Sequence, residues 1–96
     1  MTVNDLIDRV YDLEIEKGLI EKEIDDKEIV IGSITERINE IYEEGSQKVR
    51  DGYARARDKR RAVREEVAAL RARVRQFDAQ INSIKLQIEY GELEGG

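Results

Sequence analysis

Apolar residues recur along this chain at alternating spacings of three and four, in two long runs. The first comprises Val3, Leu6, Val10, Leu13, Lys17, Ile20, Ile24, Lys27, Ile31, Ile34, Ile38 and Ile41, and ten of its twelve positions are aliphatic. The second comprises Val49, Tyr53, Ala56, Arg60, Val63, Val67, Leu70, Val74, Phe77, Ile81, Ile84 and Ile88, with Arg60 the one departure. A 3.5-residue repeat sustained over more than five heptads is the signature of coiled-coil helices. It predicts one helix over about 3–44 and a second over about 49–90.

Between the runs, at Gly45-Ser46-Gln47-Lys48, the spacing slips. Gly45 suits a helix C-terminus and Ser46 an N-cap, so a turn is expected over 45–48. Folding about Gln47 sets the two seams in antiparallel register: Leu6 meets Ile88, Leu13 meets Ile81, Ile24 meets Leu70, Ile34 meets Arg60 and Ile41 meets Tyr53. It also brings Glu21 towards Arg71, Glu23 towards Arg73 and Glu28 towards Arg64, against two like-charge encounters, Glu14 with Asp78 and Arg37 with Lys59. A parallel dimer of the first helix would instead oppose Glu16 to Glu21 and Glu23 to Glu28. Asp51-Gly52 is a second candidate turn. The competing architecture is one continuous helix, in which Ile41, Gly45, Val49 and Tyr53 form a stutter that locally unwinds the supercoil. The expected fold is therefore all-α: an antiparallel helical hairpin of two long helices, a single domain over 1–96, dimerising into a four-helix bundle.

Local signals refine this picture. Thr2 and Asp5 have the spacing of a capping box at the start of the first helix. Ile29-Val30-Ile31-Gly32-Ser33-Ile34 resembles a strand when read alone, but the heptad runs through it, so a locally weak helical turn is expected. Lys17 and Lys27 occupy seam positions. There they either set register and partner choice, or lay their stems on the core and extend their ammonium groups to solvent. Gly91 suits a helix end, leaving 91–96 as a flexible tail.

Composition agrees with long helices. Charged residues make up 41% of the 96, aromatics 5%, and there is no proline. There is also no cysteine, histidine or tryptophan. That removes disulfides, thiolate metal sites and the commonest catalytic bases. No apolar run reaches the roughly 18 residues of a membrane span, and the N-terminus lacks a signal-peptide pattern; a cytoplasmic protein is expected. Ser33, Ser46 and Ser83 have no base at a useful spacing, and Gly32, Gly45 and Gly52 match no phosphate loop. No catalytic, cofactor-binding or metal-binding residue is assigned, and no small-molecule substrate or membrane partner is expected.

Charge is unevenly divided. The net charge is −5, yet residues 1–44 carry −9 and residues 45–96 carry +4. The basic block at 48–64 holds eight basic residues against two acidic ones. Its Arg50, Arg55, Arg57, Lys59, Arg60, Arg61 and Arg64 are candidates for phosphate contacts with nucleic acid, unless they answer the acidic first helix across the hairpin. Off the first seam, Ile7, Tyr11, Ile15 and Leu19 recur every four residues and form a candidate oligomer or partner face. Alanines off the second seam, among them Ala54, Ala62, Ala68, Ala69, Ala72 and Ala79, would let a large side chain approach closely.

These features predict a non-catalytic coiled-coil protein that self-associates as a homodimer or binds another helical protein. It would act by protein–protein contact as an adaptor, scaffold, assembly chaperone or inhibitor, and a compact viral or mobile-element origin suits such a chain. The alternative is a nucleic-acid-binding helical protein using the basic block.

Overall fold

The computed structural model describes residues 2–44 and 47–95, with side chains described for 2–43 and 51–91. Helix α1 runs Val3–Glu44 and helix α2 runs Gln47–Gly95. Together they form a helical hairpin, and no strand occurs among the described residues. Two compact units make up the chain: Met1–Lys22 with Arg71–Gly96, and Glu23–Leu70. Each pairs a stretch of α1 with a stretch of α2, which one continuous helix would not do.

The start of α1 follows from its sequence. The Thr2 amide donates to Asp5 Oδ2 at 3.1 Å and the Asp5 amide donates to Thr2 Oγ1 at 3.2 Å. These reciprocal bonds satisfy two amides that have no partner inside the helix. The bond from the Thr2 amide, with a smaller contribution from the Thr2 side chain, holds the Asp5 carboxyl below its ordinary pKa, because donors favour the charged form.

In the unit containing the termini, Val10 and Leu13 of α1 pack with Ile81 and Ile84 of α2, with Leu6, Phe77 and Ile88 against them. This is the register of a fold about Gln47. In the central unit Ile24, Ile34, Ile38, Ile41 and Val67 are buried. The Arg60 guanidinium donates to Thr35 Oγ1 at 3.3 Å. A Cβ placed on Gly52 would stand 3.8 Å from Ile41 Cδ1, so the same register holds there. Every seam position of α1 is buried or half-buried, and off that seam only Thr35 among its described side chains is not exposed. The strand-like stretch at 29–34 is helical throughout. Thr35 follows it, donating from Oγ1 to the Ile31 carbonyl at 2.9 Å.

The helix ends differ from the sequence reading. Gly45 and Ser46, the heart of the expected turn, lie outside the described residues. Gln47 and Lys48 belong to α2, and so do Asp51 and Gly52, which removes the second candidate turn. Gly52 faces Ile41 at a level where the helices pack, with room for a Cβ at ordinary contact distance, so it is a helical residue rather than the site of a reversal. At the other end, α2 continues through Gly91 to Gly95 instead of giving way to a tail at 91. A Cβ on Gly91 would meet Val3 Cγ2 at 3.5 Å. Val3 of α1 thus lies against Gly91, and a lone glycine lowers helix propensity by only about 1 kcal/mol.

Candidate interaction faces

The two lysines in the α1 seam reach across to α2. Lys17 Nζ lies 2.6 Å from Asp78 Oδ1 and 3.6 Å from Glu21 Oε1. Lys27 Nζ lies 2.9 Å from Glu66 Oε2. Both lysine side chains are 28% exposed, so their stems cover the seam while their ammonium groups sit at its rim. The hydrogen bond to Asp78 raises the Lys17 pKa above its ordinary value, opposed by partial desolvation. The bond to Glu66 does the same for Lys27. A third bridge, Glu14 to Lys85 at 3.8 Å, crosses the helices nearby.

These pairs resolve the expected like-charge encounters. Glu14 and Asp78 do not confront each other unscreened, because Lys85 answers the first and Lys17 the second. Arg37 turns along its own helix to Glu40 at 3.2 Å. The arginine block behaves otherwise. Among the described residues, none of Arg55, Arg57, Lys59, Arg60, Arg61 and Arg64 forms a salt bridge. The expectation that these cations answer acidic residues of α1 therefore fails for this stretch. Their spacing suggests why: the diagonal reach that joins Glu14 to Lys85 would carry Arg64 towards Thr35 and Arg57 towards Tyr42, neither of them acidic.

What the arginines do instead is specific. Arg60, half-buried in the seam, bonds to Thr35, and the Arg57 guanidinium lies 5.6 Å from the centre of the Tyr53 ring. Tyr53 is thus a half-buried seam residue with a cation beside it, not a free stacking platform. Arg57, Arg60, Arg61 and Arg64 come together with Glu65 and Ala68 around an open groove of about 280 Å³. Arg55 and Lys59 are exposed outside it, and the Arg50 side chain lies outside the described residues.

The α1 stripe stands in solvent. Ile7 is 48% exposed, Tyr11 65%, Ile15 49% and Leu19 66%. Acidic side chains surround it: Asp8 and Asp12 stand one turn before Tyr11 and Ile15, and Glu14 one turn after Tyr11. A groove of about 560 Å³ opens beside it between Asp5, Asp8, Arg9, Asp12 and Glu16 on α1 and Phe77 and Gln80 on α2. The sequence reading passed over a shorter pair on α2, Leu86 and Tyr90, both more than half exposed. Their four-residue spacing was the available signal.

No family model, curated protein or solved structure matches this chain. The faces themselves must carry the functional argument. Among the described residues, no three histidine, cysteine, aspartate or glutamate side chains are placed to hold a metal ion. No described helix is long and apolar enough to cross a membrane.

Proposed function

We propose that this protein is a non-catalytic interaction module, a helical hairpin that self-associates as a homodimer and works through helix-to-helix contact. Adaptor, scaffold, assembly chaperone and inhibitor roles all use such a surface. The observation that carries the reading is the exposed row Ile7, Tyr11, Ile15 and Leu19, four apolar side chains at helical spacing with acidic neighbours. Scattered exposed apolar residues are ordinary, but a contiguous helical row marks a surface built to be covered. Total accessible area points the same way. The chain exposes 7424 Å², against about 5,700 Å² for a compact monomer of its mass. The two hairpins of a four-helix bundle would cover much of that excess.

Sedimentation equilibrium tests this reading directly. The wild-type chain is expected to be dimeric at micromolar concentration. Tyr11→Glu with Leu19→Glu should give a monomer that keeps its helical circular dichroism. A wild-type chain that stays monomeric would remove the reading.

A second reading, nucleic-acid binding through the basic block, draws support from the arginine groove and its lack of carboxylate partners. Phosphate contacts would make affinity fall steeply with salt. Absence of binding to duplex or single-stranded DNA or RNA at about 50 mM salt would dismiss it.

A further inference from the structure

The two faces described above complement each other. Residues 5–19, which carry the apolar stripe, hold five acidic and two basic residues, a net charge of −3. Residues 54–68, which carry the groove, hold six basic and three acidic residues, a net charge of +3. Their relief is opposite too. One face projects Ile7, Tyr11, Ile15 and Leu19. On the other, helical spacing puts Ala54 and Ala68 at the ends of a row that runs through Arg57, Arg61 and Arg64, and the groove is sunk among the arginines, Glu65 and Ala68.

We propose that the arginine-lined groove of α2 receives the Ile7–Leu19 stripe of a second copy of this chain. The inference rests on the self-association proposed above and gives it a specific contact. Charge selects this pairing over the symmetric one. Laying stripe on stripe would bring two faces of −3 together, whereas stripe on groove sets Asp8 and Asp12 beside Arg57, Arg61 and Arg64. The alanines leave room for the large side chains, and the arginine stems extend the apolar contact while their guanidinium groups meet carboxylates at its rim. Each copy carries both faces, so a reciprocal exchange between two copies would cover both stripes.

A charge-reversal exchange tests it. One variant carries Asp8→Lys and Asp12→Lys; the other carries Arg61→Glu and Arg64→Glu. All four side chains are exposed, so each variant should keep its helical circular dichroism. Alone, each should associate at least about tenfold more weakly than wild type by sedimentation equilibrium at physiological salt. Mixed in equal amounts, they should recover the wild-type mass, because in the mixed assembly every lysine-bearing stripe meets a glutamate-bearing groove and every native stripe a native groove. If wild type associates but the arginine variant does so equally well, this contact is overturned while self-association stands. Failure of the mixture to recover association overturns it too. A wild-type monomer would overturn both.

Discussion

Lys17 Nζ lies 2.6 Å from Asp78 Oδ1, so a cation planted in the apolar seam of α1 is answered by a carboxylate at the edge of the α2 seam. Lys27 and Glu66 repeat the arrangement within the central unit at 2.9 Å. A lysine at such a position gives up apolar contact, and what it can return is specificity: only an antiparallel partner in this register offers the acid. Replacing both lysines with leucine should therefore raise the melting temperature, because the α1 seam becomes continuously apolar. It should also broaden the distribution of assemblies, because parallel and shifted pairings are no longer penalised. Sedimentation velocity with thermal melts reads both effects. A double variant that is more stable and still forms a single species would show that these bridges do not specify register.

The same bridges make stability depend on pH in the alkaline range. The folded pKa values of Lys17 and Lys27 lie above the ordinary 10.5, so their contribution is complete below that pH and is lost as pH climbs through the folded values. Asp5 is the opposite case. Its folded pKa lies below 3.8, so its contribution is present above that pH and disappears as pH falls through the lowered value. Melting curves from neutral to strongly alkaline pH, compared between wild type and Lys17→Met with Lys27→Met, should converge at the alkaline end. Curves that stay parallel throughout would rule out the linkage.

Much of this architecture was readable from spacing alone. The heptad positions of α1 are the ones the structure withdraws from solvent, because burial in a two-helix contact follows the 3.5-residue period and little else. The register about Gln47 was legible for the same reason: one offset aligns the apolar layers of both helices. Ion pairing was less legible. Glu28 with Arg64 looked favourable as flanking positions of the fold about Gln47, but a long side chain reaches diagonally, as Lys85 does to Glu14, and at that offset the position facing Arg64 is Thr35. The helix ends were misplaced at Gly91 and left open at Gly52, since glycine lowers helix propensity without dictating an end. What decides the matter is the neighbour, Val3 in one case and Ile41 in the other. The candidate faces were visible as periodicities, but the groove among Arg57, Arg60, Arg61 and Arg64 needed coordinates.

Ile81 is among the best-buried residues, at 5% exposure, and packs with Val10, Leu13 and Ile84. Ile81→Ala should destabilise the hairpin by about 2–4 kcal/mol, the usual range for removing a large aliphatic side chain from a core. The lower part of that range is expected, because no side chain here is wholly enclosed and the neighbours can settle into the space. Urea unfolding followed by circular dichroism gives the value. The exposed Leu86→Ala, off the α2 seam, serves as the reference and should change monomer stability by less than about 0.5 kcal/mol.

Gly52→Ala separates the observed path of α2 from a turn at Asp51-Gly52. Here Gly52 is a helical residue, and an added Cβ would rest at ordinary contact distance, 3.8 Å, from Ile41 Cδ1. The substitution removes the entropic cost of glycine and adds an apolar contact, so it should stabilise the protein by about 0.5–1 kcal/mol. Gly18→Ala, where an added Cβ meets nothing within 4 Å, provides the pure propensity effect for comparison. A reversal at Asp51-Gly52 that used a left-handed glycine would give the opposite sign, because alanine is strained there. Gly52→Ala should thus match or exceed Gly18→Ala in urea midpoint, and a midpoint below wild type would refute a helical Gly52.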